Sequence, residues 1–134
     1  MEDYILREIN RIGELLAALL DKIGLLKRSG TPERIRTAAK TELAETLDID
    51  IDTLLCGPDF IGRLTDEYGF SDENLEKFAE LLFDMVAATD DSDERLRLAA
   101  GVGAIYSHLD AKKAPASLNR YYILKDLDKY IKEP

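Results

Sequence analysis

Seven aliphatic residues near the start of the chain, Ile5, Ile9, Ile12, Leu16, Leu19, Ile23 and Leu26, recur at alternating steps of four and three. That spacing keeps them on one side of an α-helix and is the pattern of a heptad seam. It predicts a long first helix from about Asp3 to Lys27. Asp3 can accept backbone N–H bonds at its start, Lys27 and Arg28 suit the negative C-terminal end, and Gly30 offers a left-handed stop. Leu6, Leu15 and Leu20 widen the apolar face beyond the seam. A face this wide can serve the core on one flank and a second molecule on the other. Leu16, Leu19 and Leu20 are therefore candidates for binding a protein partner or a second copy, against the plainer expectation that all are buried within one chain.

The helical rhythm continues. T31-P32-E33 opens a second helix with a capping Thr, Pro at the first helical position and an acid in the first turn. Its apolar stripe is Ile35, Ala38, Ala39, Leu43 and Leu47. Short helices are expected at about 51–56 and 59–67, followed by a turn at Tyr68-Gly69-Phe70. A longer one runs from Ser71 to about Thr89 with Leu75, Phe78, Ala79, Leu82, Phe83 and Val86 inward. The next, to about Ala111, is expected to turn Leu96, Ala99, Ala100, Gly103, Tyr106 and Leu109 inward. Beyond Pro115, a last helix over about 116–131 is expected to bury Leu118, Tyr121, Tyr122, Leu124, Leu127 and Ile131. No strand partner is visible for any segment. The expectation is an all-α fold of packed helical hairpins, one domain over 1–134, with a long N-terminal helix and a helical body over 31–131.

Only Asp48-Ile49-Asp50-Ile51-Asp52 invites a metal. Read as a calcium loop from Asp48, it places carboxylates at positions 1, 3 and 5 and Asp59 at position 12. However, Thr53 stands where the sharp turn needs glycine, Cys56 holds the ninth position and Pro58 precedes the last ligand. A joint between helices, with aspartates as caps, fits better.

Other chemistry is scarce. His108 is the only histidine and Cys56 the only cysteine. Two-histidine metal sites, CxxC knuckles and an internal disulfide are thereby excluded within one chain. Gly101-x-Gly103 lies within a helical pattern and follows no strand, so it is no phosphate loop. Acid pairs such as Glu76/Glu80 and Glu80/Asp84 read as a solvated helix face. No catalytic, cofactor or metal set is expected. The lone cysteine, the acidic opening M-E-D-Y and the lack of an uncharged span suggest a cytoplasmic chain with no membrane span.

Charge is unevenly spread. The net charge is −9, but residues 41–94 alone hold 17 acidic and 2 basic side chains, while 1–40 and 95–134 are mildly basic. An acidic middle repels phosphates and argues against nucleic acid. It suits either a docking face for a basic partner or a surface balanced by the chain's own ends. Tyr121 and Tyr122 are the better recognition candidates, because tyrosine offers large contact area at low entropic cost.

Residues 98–127 resemble a tetratricopeptide (TPR) hairpin. Gly103-x-x-Tyr106 matches the Gly-x-x-Tyr of its first helix, and Ser117, Tyr121 and Leu124 fall at its small, aromatic and small-apolar positions if the turn is lengthened by two residues. No 34-residue period runs through the chain. The whole chain also resembles a family of short, uncharacterised bacterial helical proteins, through D-Y-I-L-R-E-I (Asp3 to Ile9), the leucine-rich first helix and D-I-D-T-L-L (Asp50 to Leu55). That resemblance implies a TPR-like fold and no assigned activity. The expectation is a non-enzymatic protein-interaction or scaffold module. The rival is a small-molecule-binding or hydrolytic protein whose site would gather Cys56, His108, tyrosines and carboxylates.

Overall fold

The computed structural model describes the backbone of residues 2–115 and 117–132, with all their side chains except those of 2–6, 8, 9, 131 and 132. The capping role expected of Asp3 and the inward roles expected of Ile5, Leu6, Ile9 and Ile131 lie outside the described side chains. The described residues form seven α-helices: α1 (Glu2–Ser29), α2 (Pro32–Leu47), α3 (Ile51–Cys56), α4 (Phe60–Asp66), α5 (Asp72–Ala88), α6 (Ser92–Ala111) and α7 (Leu118–Lys132). The chain is all-α.

Local chemistry explains most boundaries. Thr31 caps α2 through its side chain, with Pro32 in the first turn. Ser71 caps α5, accepting from Asn74 N–H at 3.1 Å, and Asp91 caps α6, accepting from Asp93 and Glu94 N–H at 2.9 and 3.1 Å. The aspartate-isoleucine alternation is a joint. Asp48 adopts φ 57° and ends α2, Asp50 caps α3 by accepting from Thr53 N–H at 3.1 Å, and Asp52 pairs with Lys40 at 3.3 Å. Ile49 and Ile51 alternate with these acids into the core, fully buried. Among the described residues no three His, Cys, Asp or Glu side chains come together to hold a metal ion.

α5 is the central pillar, touching α1, α2, α6 and α7. Its Leu75, Phe78, Ala79, Leu81, Leu82, Met85 and Val86 are buried, and Phe70 meets Phe78 edge-on at 5.6 Å. Ile12, Leu16, Leu19 and Ile23 of α1 join Ile35, Ala39 and Leu43 of α2 in the same contiguous core. Among the described residues no helix is long and apolar enough to cross a membrane.

Two expected faces are rotated. In α6 the buried residues are Leu98, Ala99, Gly101, Val102, Ile105, Tyr106 and Leu109, whereas Leu96 and Ala100 are exposed. The reason is that α6 is flanked by α5, α7 and α3 together. A Cβ on Gly101 would stand 3.2 Å from a methyl of Leu55 and 3.3 Å from one of Leu82, so this glycine marks the side of closest approach. In α7 the buried residues are Arg120, Ile123 and Leu127, while Leu118, Tyr121, Tyr122 and Leu124 face outward. A buried arginine decides that rotation.

Candidate functional site

Acids recur every four residues along α5: Asp72, Glu76, Glu80 and Asp84. This spacing forms one stripe along the helix. The stripe is not the solvated face that its sequence suggests. Lys112 Nζ reaches Asp72 at 2.9 Å, and Asn119 Nδ2 donates to Glu80 at 2.8 Å. Lys27, from α1, pairs with Asp84. Glu76 takes the densest set: Arg120 Nη2 at 2.9 Å, Arg120 Nε at 3.3 Å and Ser117 Oγ at 2.7 Å. The four acids thus tie α1, the end of α6 and α7 to α5.

Arg120 is 3 % exposed. Its Nη1 also donates to Asp110 at 2.7 Å and its Nη2 to the Pro115 carbonyl at 3.3 Å. The guanidinium lies 5.3 Å above the centre of the Tyr106 ring, within cation–π range. Burial disfavours the charge, but Glu76 and Asp110 outweigh it and hold the guanidinium pKa above its ordinary value. Burial, followed by the nearby Glu76 and Glu80, pushes the Tyr106 phenol above the usual tyrosine range, with Arg120 opposing. The Tyr106 hydroxyl has no hydrogen-bond partner among the described residues. Asp84 is raised by burial, with Lys27 offsetting part of the effect.

Two grooves flank α7. On one side a groove of about 620 Å³ runs between the acid stripe and the connection into α7, with Leu109, Ala114 and Pro115 as its apolar lining. On the other side a groove of about 330 Å³ lies between α1, α5 and α7. Leu20, Phe83, Tyr122 and Ile123 give it an apolar lining, and Glu80, Asp84 and Asp126 put three carboxylates there against the single ammonium of Lys27. Phe83 also packs edge-on against Tyr130, 6.1 Å between ring centres.

The five residues singled out from sequence separate here. Leu16 and Leu19 are core, 1 % and 5 % exposed, and meet the surface only in the lining of a groove between α1 and α2. Their seam is taken by the chain's own interior, because α1 lies against both α2 and α5. Leu20 and Tyr122 line the same groove, and Tyr121 stands edge-on to Tyr122 at 5.4 Å on the outer face. Cys56 is exposed at the end of α3 and His108 lies in the last turn of α6. Neither lines a groove beside α7.

Arg120, Glu76, Asp110 and Tyr106 were not expected as a group. The available signal was Arg120 itself, three and seven residues before Ile123 and Leu127 and so on their face. No protein family, curated protein or solved structure matches this chain.

Proposed function

We propose that this protein is a non-enzymatic interaction module of TPR-like packing, acting in the cytoplasm, with the outer side of α7 as its recognition face. One observation carries the reading: α7 turns Leu118, Tyr121, Tyr122 and Leu124 outward at 71 %, 62 %, 53 % and 38 % exposure. Among the described residues its inward side buries only Ile123 and Leu127 of the apolar side chains, around a salt-bridged arginine. Helices normally direct their larger apolar face to the core, and clustered exposed aromatics mark surfaces that meet other proteins. The polar anchoring of α7 supports the same reading, because it fixes the helix without consuming its tyrosines.

The test is affinity capture from the cells of origin with the wild-type chain and with Tyr121→Ser plus Tyr122→Ser. A protein retained by the first and lost by the second is the expected result. An identical set of captured proteins, or none with the wild type, would contradict the assignment.

A further inference from the structure

We propose that the groove between α1, α5 and α7 takes a basic segment of a partner protein, one that sets an aliphatic side chain on Leu20, Phe83 and Ile123 and directs lysine or arginine to Glu80, Asp84 and Asp126. This rests on the interaction-module reading and gives the partner its chemistry. Three observations support it.

Charge comes first. The groove's lining carries three carboxylates and one ammonium. Lys27 is already paired with Asp84, and Lys129, outside the lining, meets Asp126 at 3.7 Å. Glu80 is thus the carboxylate for which no cation partner is seen among the described residues. A cationic occupant is favoured there and an acidic one repelled.

The chain's own contacts supply the second argument. The α5 stripe already receives an ammonium from Lys27 at Asp84 and a guanidinium from Arg120 at Glu76. The same row of carboxylates therefore shows which cations it accepts, and Glu80 stands between those two positions.

The third is the rim. Tyr122 lines the groove alongside the carboxylates, with Tyr121 packed edge-on against its ring, so the rim adds aromatic contact area beside the acids. The apolar floor accepts one side of an amphipathic helix, a common way for such grooves to be filled.

The probe is a fluorescein-labelled designed helix with leucines three and four residues apart and lysines elsewhere, and its counterpart with every lysine replaced by glutamate. Binding is read by anisotropy. The lysine helix is expected to bind saturably, weakening when salt rises from about 50 to about 300 mM, and the glutamate helix is expected not to bind. Tyr122→Ala and Asp126→Asn, both at exposed or half-exposed positions, are each expected to weaken binding about fivefold or more. Equal binding of both helices, or lysine-helix binding indifferent to Tyr122→Ala, would overturn the proposal by showing only general attraction to an acidic surface. So would a dimer in sedimentation that dissociates with Tyr122→Ala, since a second copy would then fill the groove. The two readings fail separately. A captured partner lost with Tyr121→Ser plus Tyr122→Ser but unaffected by Asp126→Asn sinks the groove assignment alone, whereas a wild-type chain that captures nothing sinks the module.

Discussion

Arg120 and Glu76 meet at two points, 2.9 and 3.3 Å apart, across 44 residues of sequence. Their side chains are 4 % and 17 % exposed, so water screens this pair poorly. Removing one partner from such a pair strands a buried charge. Glu76→Gln is expected to destabilise the fold by about 2–3 kcal/mol, lowering Tm by about 6–10 °C. Arg120→Met combined with Glu76→Leu should restore much of that loss, because the one charge that then loses its partner, Asp110, is 61 % exposed and solvated by water. Denaturant titration of the two variants makes the comparison, and equal losses would show that the charge itself is idle.

Tyr106→Phe removes a buried hydroxyl that has no partner among the described residues and keeps the ring beneath Arg120. Stability should hold or rise by up to about 1 kcal/mol. A loss larger than that in thermal unfolding would show that the hydroxyl is bonded in solution.

The aspartates of the joint should differ by role. Asp50→Ala deletes the cap of α3 and is expected to cost about 1 kcal/mol. Asp48→Gly relieves a left-handed residue, φ 57°, and is expected to be neutral or slightly stabilising. Added calcium should leave Tm unchanged. A calcium-dependent rise would restore the metal reading of this stretch.

Asp84 and Asp91 should respond to acid in opposite senses. The carboxyl of Asp84 has a raised folded-state pKa, so its ionised form opposes folding at neutral pH and that opposition fades as pH falls through the raised value. Asp84→Asn should thus gain on wild type most at pH 7 and least in acid. Backbone N–H groups of Glu94 and Asp93 lower the Asp91 pKa, so its contribution is present at neutral pH and lost as pH falls through the depressed value. Asp91→Asn should trail the wild type at pH 7 and converge with it in acid. Stability curves from pH 7 down to about 3 distinguish the two.

Two pairs of substitutions separate core from surface. Leu16→Glu plus Leu19→Glu places two carboxylates in the interior and should abolish cooperative unfolding. Tyr121→Ser plus Tyr122→Ser, at exposed positions, should shift stability by no more than about 0.5 kcal/mol each. Circular dichroism with thermal melting is sufficient. A folded Leu16/Leu19 variant would return α1 to the list of possible interfaces.

Helix positions were legible because their signals are local. Thr31-Pro32, Asp50, Ser71 and Asp91 act within a turn of where they stand, and sequence locates the helices they cap. The faces of α1, α2 and α5 were also legible, since most of their buried residues are aliphatic and keep a clear period. The face of α7 was not. Its period favours Leu118, Tyr121 and Tyr122, and what overrides them is an arginine whose partners Glu76 and Asp110 lie 44 and 10 residues away. Leu96 misled for a related reason: several rotations of α6 fit its apolar residues, and contact with α3, α5 and α7 selects one. The candidate site was half visible, in Leu20 and Tyr122. The acids opposite them looked like ordinary surface, because pairing across elements leaves no periodic trace.

The central position of α5 also bears on how the chain emerges from the ribosome. α1 and α2 are made first, yet α5 is the pillar their apolar faces lie against, and Lys27 waits 57 residues for Asp84. The nascent N-terminal half therefore carries uncovered leucines and isoleucines until the middle of the chain has been synthesised. Such surface is what chaperones hold and what aggregation exploits. Dividing the chain before α5 would take away the helix that α1 and α2 both lie against and leave that side of their apolar faces open to water.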